Sequence, residues 1–305
     1  MGDQGSAIRV SGLVKAYGPV RAVDGLDLDV PQGVVFGFLG PNGAGKTTTM
    51  RVLTGLIRPD AGRVELFGQP LRWLDRKPLF AVGALIESPA FYPYLSGRDN
   101  LRVLTGVGAA PRPGRVATVL EQVDLVDRAG DRYETYSLGM KQRLGIAAAL
   151  LNDPPLLLLD EPANGLDPAG IVAMRALLQG LAAAGKTVFV SSHILPEIQQ
   201  MADEVAIIAR GRLVRAGRLD QLLGDAGEVR IHVDPQAVAR AAEVLGHLVP
   251  DVHPNGHGPG WLSMAAAPAR APELNRALVG AGVDVSGLEV GSDLEGLFLS
   301  LTEGV

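Results

Sequence analysis

The chain has 305 residues, of which 47% are hydrophobic and 20% charged, with a formal net charge of −5 and no cysteine. That length fits one large domain or two ordinary ones around a sizeable core. The negative balance argues against a nucleic-acid partner, which calls for a basic face, and the missing cysteines exclude disulfides and thiolate metal sites.

No stretch approaches the roughly 18 uninterrupted apolar residues of a membrane span. The polar start, Met1 to Ser6, lacks the apolar core of a signal peptide, so the chain is expected to stay in the cytoplasm. Residues 8–37 alternate short apolar and polar runs broken by Gly18-Pro19 and Pro31-Gln32-Gly33, a pattern of strands and turns. Val34-Val35-Phe36-Gly37-Phe38-Leu39 reads as a buried strand. Directly after it comes Gly40-Pro41-Asn42-Gly43-Ala44-Gly45-Lys46-Thr47, the spacing of a nucleotide phosphate cradle. Its glycines let backbone N–H groups converge on a phosphate, and Lys46 adds a point charge. The Thr47 hydroxyl suits Mg²⁺. Thr48 to Leu56 reads as a helix whose positive end points at the phosphates.

Further along, a strand is expected near Arg63 to Phe67, ended by Gly68. Residues 96–151 look helical, interrupted by a loop at 109–114 and a polar stretch at 131–137. Leu156 to Leu159 and Thr187 to Val190 are short apolar runs of the kind buried on both faces of a parallel sheet, with a helix from Ala169 to Ala184 between them. The alternation predicts an α/β core with a helical insertion at about 88–152.

A second unit is expected from 224 to 305, after a first domain of 1–223. It reads as a strand at Val229 to Val233 and a helix at Pro235 to Leu248. Two short strands around Asn255-Gly256 to Gly260 follow, then a helix at Pro272 to Gly280, a strand at Val283 to Val290, and a closing helix from Asp293. That β-α-β-β-α-β order predicts a small ferredoxin-like domain. His232, His247, His253 and His257 all fall in this unit, but their spacing matches no zinc pattern.

The acidic pair Asp160-Glu161 ends the Leu156 strand, at the edge where open α/β sheets bind ligands. There Asp160 suits the Mg²⁺ shell, and Glu161 suits the orientation and deprotonation of an attacking water. The strand Thr187 to Val190 runs on through Ser191-Ser192 to His193, which suits a hydrogen bond to a γ-phosphate oxygen.

Over about residues 8–220 these motifs, in this order, resemble the ATP-binding cassette (ABC) ATPases. Tyr136-Ser137-Leu138-Gly139-Met140 stands where that family carries Leu-Ser-Gly-Gly-Gln, matching at Ser137 and Gly139 only. The resemblance implies an ATP- and Mg²⁺-dependent ATPase whose two sites are shared across a dimer. Gly40 through Thr48 would hold the phosphates, Tyr17 would stack on adenine, and Ser137 and Gly139 would contact ATP on the partner. Asn164-Gly165-Leu166-Asp167 looks like the loop through which each site senses the other. Lys46, Glu161 and His193 would carry catalysis, and Thr47, Asp160 and Glu87 would surround the metal. Arg143 follows the signature at the family's position.

Glu87 departs from the glutamine most family members carry. With the Tyr-Ser-Leu-Gly-Met signature it resembles the bacterial transporters that protect against lantibiotics, bacitracin and similar peptides, and the broader drug-export ATPases with a C-terminal accessory domain. The resemblance implies a separate membrane permease, a second ATPase subunit and a peripheral place on the inner face of the membrane. Phe91, Tyr92 and Tyr94 are expected either to dock that permease or to pack the insertion. The competing functional classes are a soluble ABC ATPase and an ATP-sensing regulator.

Overall fold

The computed structural model describes residues 5–106, 113–225, 227–254 and 258–291, with 294 and 298. The chain divides into two compact units, Met1–Ala216 and Gly217–Val305. The division falls before the expected boundary at 224, because the helix that contains this position belongs to the second unit.

In the first unit, the strands and turns expected over residues 8–37 are two strands of 12 residues each and the start of a third. The first two are β1 (Ser6–Tyr17) and β2 (Val20–Pro31), a hairpin closed at Gly18-Pro19 and interrupted by bulges. With β4 (Ala61–Leu66) and β5 (Gln69–Pro70) they make an antiparallel sheet in the order β2-β1-β4-β5. Between them in sequence lie β3 (Val35–Leu39) and α1 (Lys46–Leu53). The helix is shorter than expected at its C-terminal end. Thr54 Oγ1 donates to the Met50 carbonyl at 2.9 Å, and Gly55 turns out of the helix at φ +66°.

The insertion follows β6 (Val82–Leu85) and contains α2 (Gly97–Thr105), α3 (Arg115–Gln122) and α4 (Leu138–Ala149). The remaining elements are β7 (Leu156–Asp160), α5 (Pro168–Ala183), β8 (Thr187–Ser192), α6 (Leu195–Gln199), β9 (Glu204–Ala209) and β10 (Arg212–Arg218). The main sheet has the order β10-β9-β3-β8-β7-β6, and β9, β3, β8, β7 and β6 run parallel. Every residue of β3, β7 and β8 is buried, as their apolar runs require. Phe189 stacks on Phe36 at 5.6 Å and tilts on Phe38 at 5.2 Å. A continuous core joins them to Met50 of α1 and to Ile8, Leu13 and Leu26 of the antiparallel sheet.

The second unit contains α7 (Leu219–Asp225), β11 (Glu228–Val233), α8 (Val238–Gly246), β12 (Val252–Pro254), β13 (Trp261–Ala265), α9 (Ala271–Gly280) and β14 (Val285–Gly291). From β11 onward the order is β-α-β-β-α-β. The sheet runs β12-β13-β11-β14 with antiparallel neighbours throughout, as in a ferredoxin-like domain. The expected helix from Pro235 begins instead as a 3₁₀ turn, Pro235–Ala237, capped by Asp234. Residues 255–257 and most of the expected closing helix from Asp293 lie outside the described residues. His232 bonds Ser286 Oγ at 2.7 Å and tilts against Trp261, and among the described residues no three His, Asp or Glu side chains gather as a metal site.

Candidate functional site

Parallel strands put their C-terminal ends on one edge of the sheet, so four segments meet there. They are the loop 40–45 after β3, Glu87 after β6, Asp160-Glu161 after β7 and Ser192-His193 after β8.

The loop after β3 is shaped by what its glycines lack. A Cβ on Gly40 would stand 2.5 Å from the Ile208 carbonyl oxygen. One on Gly45 would stand 2.3 Å from the Ala22 carbonyl oxygen, at a φ of +104° that disfavours any side chain. Pro41, Asn42 and Gly43 are exposed at its tip, and Ala44 N donates to Pro41 O at 3.1 Å. Gly45 then caps α1, and Thr47 and Thr48 lie half-buried in the first turn.

Lys46 is 6% exposed, yet among the described residues its ammonium meets only its own loop and one carboxylate: Gly40 O at 2.7 Å, Pro41 O at 3.4 Å and Glu161 Oε1 at 3.4 Å. A buried cation held by neutral carbonyls in a cradle too tight for a Cβ fits phosphate oxygens.

Asp160 and Glu161 are positioned by Ser191, which pairs with Asp160 in the β7–β8 ladder. The Ser191 hydroxyl donates to Asp160 Oδ1, and Glu161 N donates to both Ser191 Oγ (3.0 Å) and Ser191 O (3.2 Å). Asp160 is 5% exposed, with one carboxylate oxygen held this way and the other without a partner among the described residues. Glu161 sits at φ +50°, a left-handed conformation that turns its side chain off the strand. Its Oε2 lies 2.7 Å from His193 Nδ1. Lys46, Glu161 and His193 are thus brought into one contact chain.

Glu87 is not part of that chain. It is exposed at φ +65° and pairs with Arg51 of α1. The Glu87 bond, more than any other interaction, raises the Arg51 guanidinium above its ordinary pKa, with smaller contributions from Tyr17 and Asp160. Arg51 therefore stands among three expected site residues. The Thr47 hydroxyl and the buried carboxylate of Asp160 are residues that could hold Mg²⁺, a hard-oxygen set that would need phosphate oxygens to complete it. Tyr17 is 47% exposed, and Lys15 Nζ lies over one face of its ring, 5.6 Å from the centre.

Ser137, Gly139 and Asp167 lie elsewhere. Ser137 caps α4 by accepting from Met140 N at 3.3 Å, and Asp167 caps α5 by accepting from Gly170 N at 3.0 Å. Together with Gly165 they line a cleft of about 490 Å³ to which loop 40–48 contributes nothing. Tyr136 is buried in the insertion, donating to Arg128 O at 2.7 Å, while Leu138 lies 3.1 Å from where a Cβ on Gly165 would sit. Arg143 is tied to the Val123 and Asp124 carbonyls and to the Asp124 carboxylate. The three aromatics after Glu87 divide: Phe91 packs edge-on against Tyr133 at 5.2 Å, whereas Tyr92 and Tyr94 are 49% and 62% exposed. Asn100 fixes that loop by bonding both Tyr92 N and Tyr92 O.

Sequence reasoning missed Ser191, Arg51 and Glu197. Ser191 was legible, since adjacent buried strands of similar length set it opposite Asp160. Glu197 of α6 is buried close to His193 and Arg175, and burial pushes its carboxyl pKa up. Only the folded geometry reveals this.

The ABC transporter family profile matches residues 23–164. The chain is 40% identical over 301 residues to a bacitracin transport ATP-binding protein of Bacillus licheniformis, covering 97% of each. It is 38% identical over 207 residues to a lantibiotic transport ATP-binding protein of Streptococcus pyogenes, covering 68% of this chain and 89% of that one. Among solved structures, a dimeric ATP-binding cassette in a post-hydrolysis state with ADP and Pi matches with a TM-score of 0.62 at 25% identity, covering 70% of this chain and 98% of that one.

Proposed function

We propose that this chain, which belongs to the family of ABC transporter ATP-binding proteins, is the ATP-hydrolysing subunit that powers a bacterial exporter of antimicrobial peptides or drugs. The observation that carries the catalytic part is Glu161 held between Lys46 and His193 at the strand edge. Lys46 exchanges its loop carbonyls for β- and γ-phosphate oxygens. Glu161 accepts the proton of the attacking water, and His193 holds that carboxylate in place and presents its ring to the γ-phosphate side. Mg²⁺, when bound by Thr47 and Asp160, supplies charge neutralisation on the phosphates.

Two copies are needed to complete a site, because the cleft at Ser137, Gly139 and Asp167 contains no phosphate loop of its own. We assign these residues to the partner's nucleotide and the exposed pair Tyr92 and Tyr94 to a separate membrane permease. Among the described residues no helix is long and apolar enough to cross a membrane. The C-terminal unit is an accessory domain on this reading.

The test is the mass of Glu161→Gln in solution with Mg-ATP. Light scattering should show a dimer with ATP that Ser137→Arg abolishes. A monomer throughout, unrescued by the permease, refutes the shared site.

A further inference from the structure

Away from the nucleotide edge, a groove of about 630 Å³ runs between the C-terminal end of α1 and the β4–β5 hairpin. Arg58, Arg63, Arg72 and Arg76 line it, all exposed, and the one acidic residue in the lining is Glu65. Among the described residues no carboxylate makes an ion pair with any of these four arginines. Most other arginines among the described residues are paired, including Arg9, Arg51, Arg115 and Arg212. In a chain of net charge −5, four unpaired guanidinium groups on one concavity are a local reversal of sign.

The groove also has an apolar lip. The Arg76 guanidinium lies over the Trp73 ring, 4.9 Å from its centre, a cation–π contact that uses none of its N–H donors on a carboxylate. Leu74, next in the chain, is 97% exposed, and Leu56, between the lining residues Gly55 and Ile57, is 60% exposed. An uncovered leucine next to Trp73, another on the α1 side, and four arginines in the groove match the chemistry of an anionic bilayer surface: phosphate for the guanidinium groups and the acyl boundary for the apolar residues. A purely soluble anion would use the arginines but leave Leu74 unexplained.

We propose that this groove binds the phosphodiester headgroups of anionic lipids, seating the subunit directly on the membrane surface beside its permease. The proposal rests on the reading of the chain as a transporter subunit. Its test omits the permease, so failure here would leave that reading standing.

The full chain is floated with vesicles of phosphatidylcholine alone or doped with phosphatidylglycerol. Binding should need phosphatidylglycerol and weaken with salt. The double variant Arg72→Gln/Arg76→Gln should lower partition about thirtyfold, and Leu74→Ser several-fold with the salt dependence kept. Basal ATPase and thermal unfolding should stay unchanged in both. If the double variant fails to fold, Leu74→Ser and the wild-type salt response decide. Equal binding to the two vesicle types, or none, overturns the proposal. Full competition by glycerol phosphate or inorganic phosphate makes the groove a soluble-anion site and overturns it too. So does loss of the permease from the variants in lipid-free detergent, which would make this a protein-docking face.

Discussion

Glu161 Oε2 and His193 Nδ1 lie 2.7 Å apart, which commits one ring nitrogen to the carboxylate and leaves Nε2 for a ligand. The other oxygen, Oε1, faces Lys46 at 3.4 Å. Removing the carboxylate therefore removes the proton acceptor and the residue that orients the histidine together. Glu161→Gln should lower turnover on the order of 10²-fold or more while nucleotide binding survives. Steady-state phosphate release and titration with a fluorescent nucleotide measure the two; unchanged release would refute the assignment.

Ser191 is buried and bonds both Asp160 and the Glu161 amide. Ser191→Ala leaves both with one partner fewer. A loss of about 1–3 kcal/mol in unfolding free energy is expected, with a weaker response of ATPase to Mg²⁺. Denaturant titration that matches the wild type would mean that the carboxylate is held by other groups.

Arg51 and Glu87 form an exposed pair, so a double-mutant cycle should give a coupling of no more than about 1 kcal/mol. Function should respond more than stability. Glu87→Gln should retain substantial ATPase but shift its Mg²⁺ dependence and reduce resistance in cells. Arg51→Met, which frees the Glu87 carboxylate, should shift the Mg²⁺ dependence in the opposite direction. Identical Mg²⁺ profiles for all three forms would make the pair neutral.

Glu197 offers a pH test. Its pKa is raised by burial, so the folded chain favours the protonated form more than the unfolded chain does. Stability from this group is present below the ordinary glutamate pKa and is lost as pH rises through the raised value. Glu197→Gln cannot ionise, so its Tm relative to the wild type should climb from mildly acid to neutral pH. A constant difference would mean that Arg175 and His193 compensate the buried charge fully.

Tyr92 and Tyr94 are solvent-facing on a loop fixed by Asn100. Tyr92→Ala or Tyr94→Ala should leave the isolated subunit's unfolding temperature within a degree or so, as exposed substitutions do, but uncouple ATPase from export. Variants that still co-purify with a fully active permease would count against docking here. Phe91→Ala, by contrast, should destabilise, because that ring packs on Tyr133.

The parallel core was legible because β3, β7 and β8 each carry a short apolar run, and the chemistry follows the ends of those runs. The phosphate loop was legible because its spacing has few other uses. Less could be read where pairing rather than periodicity decides. β6 has only four residues and owes its place to β7. The long hairpin β1–β2 is broken by bulges that disguise its alternation. The run Val205 to Ala209 did carry a strand signal, one fully buried in β9, yet it was not among the expected elements. Glu87, expected at the metal, pairs with Arg51 in this structure, a contact across 36 positions that no local pattern encodes.

The left-handed backbone at Glu161 has one more consequence. A non-glycine residue held there costs about 1–3 kcal/mol, which the surrounding strands must absorb. Glu161→Gly would relieve that strain but strip Lys46 and His193 of their shared carboxylate, so it should hydrolyse nothing and gain no stability. An inactive relative with glycine at this position would carry the mark of a chain released from work.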